Sequence, residues 1–150
     1  MIILNNQPEV RRTSSEGFGT VDTAGFSDAG GLTQFGGYVQ TLQPGARSSN
    51  RHWHEKEDEF LYVLVGEVIV TENDGEHVLH PGDAACWPAG VPNAHRVSNR
   101  SDAPCSYLIV GTRLTQDVCH YPDLGRTLYS EGETWRLVDA DGQVVKTGRF

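Results

Sequence analysis

The sequence is poor in three features that would each point to a definite class of protein. It has only three cysteines, Cys86, Cys105 and Cys119, an odd number without CxxC spacing. This pattern argues against a disulfide framework and a thiolate metal site, and it favours reduced thiols in the cytoplasm. No apolar run is long enough to span a membrane. No stretch has the periodicity of a long helix. We therefore expect one soluble, cytoplasmic domain of ordinary size.

Positive charge is also scarce. The chain has 12 Lys and Arg against 20 Asp and Glu, a formal net charge of −8, which would repel both nucleic acid and an anionic membrane. Nothing resembles a helix-turn-helix. The apolar start, Met1 to Leu4, is too short for a secretion signal. Nucleic acid and membranes are therefore not expected as partners.

Turn-forming residues are abundant, with 17 glycines and seven prolines. They separate many short runs of apolar and β-branched residues, and several occur in typical turn sequences. Examples are Asn73-Asp74-Gly75, Pro81-Gly82 and Asp141-Gly142. Short strands at this spacing predict an all-β sandwich or closed barrel.

The same pattern divides the chain into three parts. Residues 1–31 are mainly polar and glycine-rich and are predicted to form an irregular N-terminal arm. Residues 32–112 contain the densest series of predicted strands and form the barrel core. Residues 113–150 form a C-terminal extension of the same domain, with a hairpin around Asp141-Gly142.

The most informative stretch is His52-Trp53-His54, followed by Glu55 to Asp58 and then Glu59. Alternate side chains of a strand share a face, so His52 and His54 project to one side. The charged tetrapeptide has poor strand propensity and predicts a hairpin that returns Glu59 antiparallel beside the histidines. Two imidazoles and a carboxylate on one face can hold a transition metal. The alternative is that both histidines lie on a solvent-facing strand.

Together with the turns around them, these residues resemble the first motif of the cupin superfamily, which here reads Gly45, then His52-x-His54-x4-Glu59-x6-Gly66. The second motif is similar to Gly82-x5-Pro88-x-Gly90, followed by His95 and Asn99. His95 comes four intervening residues after Gly90, where two are usual, and Asn93 stands at the usual histidine position. We interpret residues 91–94 as a lengthened loop. The resemblance covers about positions 45 to 110.

This resemblance implies a double-stranded β-helix, or jelly-roll, barrel. It also implies one divalent transition metal ion, whether iron, manganese, nickel, copper or zinc, bound by His52, His54, Glu59 and His95. Strand alternation places Leu61, Val63 and Val97 on the same faces as these ligands, where they would form an apolar pocket wall. Core packing explains the three apolar residues equally well.

The function implied by the resemblance is that of a metal-dependent enzyme acting on a small organic molecule. Dioxygenase, isomerase or epimerase, and lyase reactions all occur on similar cupins, and the fold does not choose among them. The alternatives are a non-catalytic module that binds or senses a small molecule, and a structural role with an empty barrel. Cupins commonly pair through edge strands, so a homodimer is expected.

Overall fold

The computed structural model describes residues 1–150 and contains fourteen strands, one four-residue helix and one 3₁₀ turn. The helix, α1, spans Phe26–Ala29, and the 3₁₀ turn spans Pro122–Leu124. The strands in chain order are β1 (Val10–Ser15), β2 (Gly19–Gly25), β3 (Phe35–Leu42), β4 (Trp53–His54), β5 (Glu59–Val65), β6 (Val68–Thr71), β7 (Glu76–Leu79), β8 (Ala84–Trp87), β9 (Arg96–Ser98), β10 (Cys105–Thr112), β11 (Gln116–Tyr121), β12 (Arg126–Glu131), β13 (Thr134–Val138) and β14 (Val144–Arg149). Neither helical segment has the length and apolar character needed to cross a lipid bilayer.

The core lies between two antiparallel sheets. The larger has six strands in the order β1-β2-β3-β10-β5-β8, and the smaller has the order β7-β6-β9. Their inward faces share one hydrophobic cluster, which includes Leu42, Leu61, Val63 and Tyr107 from the large sheet and Val68, Val70 and Val97 from the small one. The architecture is the jelly-roll barrel expected from the sequence, with its apolar side chains alternating inward along each strand.

A third sheet carries the histidine strand. Its order is β14-β13-β12-β11-β4, so β4 is joined to strands of the C-terminal extension. His54 is paired with Cys119 and Trp53 with His120. The final hairpin is present as expected, with β13 and β14 antiparallel. Strands β11 and β12 were not predicted from the sequence, because polar residues interrupt their apolar ones.

Residues 1–31 were predicted to form an irregular arm, but they contain two strands. β1 and β2 form an antiparallel hairpin, and β2 continues the sheet by pairing with β3. Every residue of β1 is exposed, so this edge strand needs no apolar face and its composition looks like that of a loop. Polar contacts between β1 and β2 hold this exposed strand in place; for example, the Arg12 guanidinium donates to the Asp22 carboxylate at 2.6 and 2.8 Å.

Candidate metal centre

Two separate sequence blocks meet through their backbones at the mouth of the barrel. The His52 N–H donates to the His95 carbonyl at 3.0 Å, and the His95 N–H donates to the His52 carbonyl at 2.9 Å. This isolated antiparallel bridge brings the two imidazoles side by side, with ring centroids 4.8 Å apart. The shifted His95 therefore lies beside the paired histidines, as the lengthened loop required.

Glu59 reaches the three histidines from the opposite sheet. Its Oε2 lies 2.8 Å from His95 Nε2, 3.7 Å from His52 Nε2 and 3.9 Å from His54 Nε2. The predicted hairpin between the histidine strand and Glu59 is wrong, because β4 pairs with β11 while β5 pairs with β8 and β10. The charged segment between them crosses from one sheet to the other, and the side chains converge across the barrel.

Three of the four predicted ligands are close enough together to hold one cation. Ligand atoms about 2.1 Å from a shared ion lie about 3.0 to 3.4 Å from each other in tetrahedral or octahedral geometry. The observed distances of 2.8, 3.7 and 3.9 Å lie on both sides of that range. The ligand atoms of His52, His54 and Glu59 are all within 4.8 Å of one another. His95 lies outside this group of three, and its Nε2 makes a hydrogen bond with Glu59 Oε2 at 2.8 Å.

Neighbouring groups hold each imidazole in a defined orientation. His54 Nδ1 donates to Asp117 Oδ2 at 2.6 Å, and His52 Nδ1 donates to the Asn50 carbonyl at 3.0 Å. Both bonds leave Nε2 directed toward Glu59. The ring of His95, which is 4% exposed, stacks on Trp87 with centroids 3.7 Å apart and planes at 10°. Orientation by an outer hydrogen bond is typical of metal-binding histidines.

Burial and charge shift the titration of these groups in opposite directions. Burial lowers the pKa of His52 to about 4, against the charge of Glu59. Burial alone would raise the pKa of Glu59, but the His95 hydrogen bond and the neighbouring histidines lower it to about 2. Burial also acts to lower the pKa of His54, but the hydrogen bond to Asp117, together with the effects of Cys119 and Glu59, outweighs it and raises the pKa to about 11. That bond lowers the pKa of Asp117 against the effect of its burial.

Two cavities open beside the imidazoles. The larger, about 550 Å³, is bounded by His52, His54 and several residues of the C-terminal sheet, including Cys119, Tyr121 and Leu128. The smaller, about 300 Å³, includes Gly36, Tyr38, Glu59 and Ile109. The C-terminal extension therefore forms much of the wall above the site, in space sufficient for a small organic molecule.

The three residues expected on the pocket wall lie elsewhere. Leu61 and Val63 have no exposed area, Val97 is 3% exposed, and all three belong to the hydrophobic core. They continue the faces of β5 and β9 into the barrel, beneath the site, and neither cavity beside the imidazoles includes them. Strand alternation correctly predicted the face on which these residues lie. It could not predict that they lie deeper in the barrel than the two cavities.

Asp117 lies at the candidate site but was not predicted from the sequence. It is 63 residues from its partner His54 and belongs to a strand without a continuous apolar run. Its position before Cys119 and Tyr121, two other residues of the larger cavity, is a period-two pattern that would have placed all three on one face. Without knowledge that β11 pairs with β4, that face could not be assigned to the site.

Known proteins with similar sequences and folds agree with this architecture. Residues 38–111 match the family model described as "Cupin domain". A solved structure from Silicibacter pomeroyi, a sugar phosphate isomerase of the cupin superfamily, is 34% identical, with a TM-score of 0.83 over 92% of this chain and 93% of that one. A candidate sugar phosphate isomerase from Acidithiobacillus ferrooxidans is also 34% identical, with a TM-score of 0.79 over 85% and 81% of the two chains.

A curated relative matches over a shorter region. The tetracenomycin polyketide synthase protein TcmJ of Streptomyces glaucescens is 32% identical over 78 residues. The matched region is 52% of this chain and 50% of the relative, so the chain spans about half the length of that protein.

Proposed function

Because this chain belongs to the cupin superfamily, we propose that it is a metal-dependent enzyme that isomerises a small sugar derivative. One divalent transition metal ion is held by His52, His54, Glu59 and His95. The observation that carries the proposal is the convergence of three imidazole nitrogens on one Glu59 oxygen, at 2.8, 3.7 and 3.9 Å.

Three imidazoles and a carboxylate suit iron, manganese, nickel, copper or zinc. When bound, such an ion supplies Lewis-acid polarisation of a substrate oxygen. The protein contributes the arrangement of its own groups. Asp117 accepts the His54 Nδ1 proton, so Nε2 is the nitrogen that would release its proton and bind the ion. The Asn50 carbonyl likewise accepts the Nδ1 proton of His52 and leaves its Nε2 as the ligand atom. Trp87 fixes the ring plane of His95.

Two arguments support isomerisation as the reaction class: the similarity to a solved structure, and the fact that the reaction needs only one substrate. The Silicibacter pomeroyi protein, which is similar over 92% of this chain at 34% identity, is a sugar phosphate isomerase. An isomerisation rearranges one substrate and needs no oxidant or second substrate. A cavity of about 550 Å³ beside His52 and His54 accommodates a single small polyol.

The test begins with metal content. The protein would be purified without chelator or metal-affinity tag, its metals measured by mass spectrometry, and the metal-loaded form incubated with a panel of sugar phosphates followed by NMR. We expect one metal ion per chain and interconversion of at least one substrate pair. His54→Ala should lose both, whereas His80→Ala, which alters an exposed histidine outside the site, should keep both.

Other outcomes separate the alternatives. A chain that takes up no transition metal at micromolar concentration would refute the metal centre. A metal-loaded chain that binds a ligand and returns it unchanged would instead favour a binding or sensing module. Substrate consumption only in the presence of dioxygen and iron would favour an oxygenase over an isomerase.

A further inference from the structure

We propose that Arg113 binds the anionic group, a phosphate ester or a carboxylate, of the substrate that occupies the cavity beside the histidines. This inference deepens the proposed function and rests on it for the existence of a small-molecule substrate. It assigns a binding role to a residue that follows β10, outside the four metal-binding positions.

The first observation is the charge distribution of the two cavities. Arg113 borders both of them, together with His52 and His54, and it is the only arginine or lysine to do so. The remaining charged side chains are carboxylates, namely Glu57, Glu59 and Asp117. An anionic substrate entering this space would therefore find one fixed cation away from the histidines.

The second observation is that the guanidinium retains unused donors. Its Nη2 donates to Asp28 Oδ1 at 2.6 Å, and its Nη1 donates to the Leu32 carbonyl at 3.4 Å. A guanidinium has five N–H groups, so three of them make no hydrogen bond within the protein. Paired donors on a planar guanidinium match the oxygen spacing of both phosphate and carboxylate.

The third observation is the space made for this side chain by glycine. A Cβ added to Gly36 would lie 3.1 Å from Arg113 Nε and 3.3 Å from Nη2. The guanidinium lies against the bare backbone of β3, so a side chain at position 36 would push it aside. Gly36 borders the smaller cavity as well. Its lack of a side chain therefore keeps Arg113 next to that space.

A purely structural role would be to tie α1 to the end of β10 through Asp28. That role is weak, because the side chains of Arg113 and Asp28 are 41% and 66% exposed, and exposed ion pairs contribute little to stability. It also makes a different prediction. If the ion pair were the purpose, removing either partner would have the same effect.

The test compares three ligands and three variants. D-ribose 5-phosphate, D-ribonate and D-ribose would be titrated by calorimetry into the wild type, Arg113→Gln, Arg113→Lys and Asp28→Asn, each with and without bound metal. We expect the wild type to prefer at least one anionic ligand over ribose in both metal states. Arg113→Gln should weaken binding of that ligand by about tenfold or more, as expected for lost hydrogen bonds to a charged group. Asp28→Asn should bind as tightly as the wild type.

Arg113→Lys keeps the charge without the paired donors, so an intermediate affinity is expected; it also provides the comparison if the glutamine variant does not fold. The difference between ribose 5-phosphate and ribonate identifies the anion as phosphate or carboxylate. Equal binding of ribose and both anions by the wild type would overturn the inference, as would equal losses in Arg113→Gln and Asp28→Asn. Neither result would affect metal uptake, which tests the proposed function separately.

Discussion

Asp117 Oδ2 lies 2.6 Å from His54 Nδ1, and the other oxygen accepts the Lys56 N–H at 3.0 Å. In Asp117→Asn the amide oxygen could still accept the Lys56 N–H, but its NH₂ group would face His54. The imidazole would then carry its proton on Nε2, the nitrogen needed for a metal. We expect metal affinity to fall about 10- to 100-fold with the fold retained, as measured by competition with a chromophoric chelator.

Glu67→Gln is the matched control, because Glu67 Oε2 lies 3.5 Å from Nε2 of the surface residue His80. It removes a comparable carboxylate from a histidine outside the candidate centre, so metal affinity should not change. An Asp117→Asn protein with the metal affinity of the wild type would show that Asp117 does not orient a ligand.

Asn99 belongs to the second motif, but its side chain hydrogen-bonds to the backbone of neighbouring segments and not to the candidate metal ligands. It is 1% exposed. Its Nδ2 donates to the carbonyls of Leu42 and Ala103 at 2.9 and 2.8 Å, and its Oδ1 accepts the N–H and the hydroxyl of Ser101 at 2.9 and 2.8 Å. Asn99→Ala removes all four bonds from a buried site, and we expect the free energy of unfolding to fall by about 2 to 3 kcal/mol.

Urea denaturation measures this change. Asn6→Ala, at an exposed position, is the control and should alter stability by less than about 0.5 kcal/mol. Metal content normalised to folded protein should be the same in both variants, since Asn99 makes no hydrogen bond to the four candidate ligands. A stability loss for Asn99→Ala no larger than that of the control would contradict its role as a buried bonding centre.

At the scale of elements, the histidine segment is tied to the C-terminal extension by more than β4 pairing. Arg51 donates from Nη2 and Nε to the Asp123 carboxylate at 2.7 and 3.0 Å, and from Nη1 to the Glu72 carbonyl at 3.0 Å. One side chain therefore joins the start of β4, the 3₁₀ turn and the turn after β6. Its contribution depends on the charge of Asp123.

The Arg51 hydrogen bond lowers the pKa of Asp123 below its usual value. A carboxyl group with a lowered pKa in the folded state stabilises the fold above its unfolded-state pKa of about 3.9, and this contribution is lost as the pH falls through the folded-state value. We expect Asp123→Asn to cost no more than about 1 kcal/mol at neutral pH, because the carboxylate is 45% exposed. The difference from wild type should shrink below about pH 4.

Urea denaturation across this pH range would measure the difference. Asp102→Asn is the control, because Asp102 is exposed and makes no side-chain hydrogen bond, so its effect should be near zero throughout. A stability difference between Asp123→Asn and wild type that grows on acidification would contradict the assigned sign.

The same elements explain what the sequence could predict. Local signals were sufficient for strands with a continuous apolar run, such as β5 and β8, and for the turn at Asn73-Asp74-Gly75, which does join β6 to β7. They could not predict that β4 pairs with β11, more than 60 residues away, instead of forming a hairpin with the strand that contains Glu59. Strand pairing of that range depends on tertiary packing, which no local propensity encodes.

At the scale of the molecule, the two motif blocks predicted which residues would meet, although the reason given for Glu59 was wrong. Residues 113–150 were predicted to be a C-terminal extension of the same domain, with no part in the site, whereas their strands form much of the cavity wall and include Asp117. The exact division into arm, core and extension stays a prediction. A contribution of this kind could not be seen in the sequence, because those strands contain no recognised motif.

The outer face of the six-stranded sheet exposes large apolar side chains that a single chain leaves uncovered. Along β5, Leu61 and Val63 point into the core, while Phe60, Tyr62 and Leu64 point outward and are 37%, 38% and 41% exposed. A groove of about 440 Å³ on this face also includes Phe35, Cys86 and Val110. A contiguous apolar face of this kind usually marks an interface, and a second copy of the chain would cover it through an isologous contact.

We therefore expect the protein to be a homodimer at micromolar concentrations by multi-angle light scattering. The double variant Phe60→Glu/Leu64→Glu should be monomeric but folded, because both side chains lie outside the core and the added charges would repel their symmetry mates. Val145→Glu introduces a charge at a 44% exposed valine of β14, outside this face, and should remain dimeric. A wild-type chain that elutes as a monomer at high concentration would contradict the dimer. A double variant that stays dimeric would place the interface on another surface, where the hairpin of β1 and β2 would be the next element to alter.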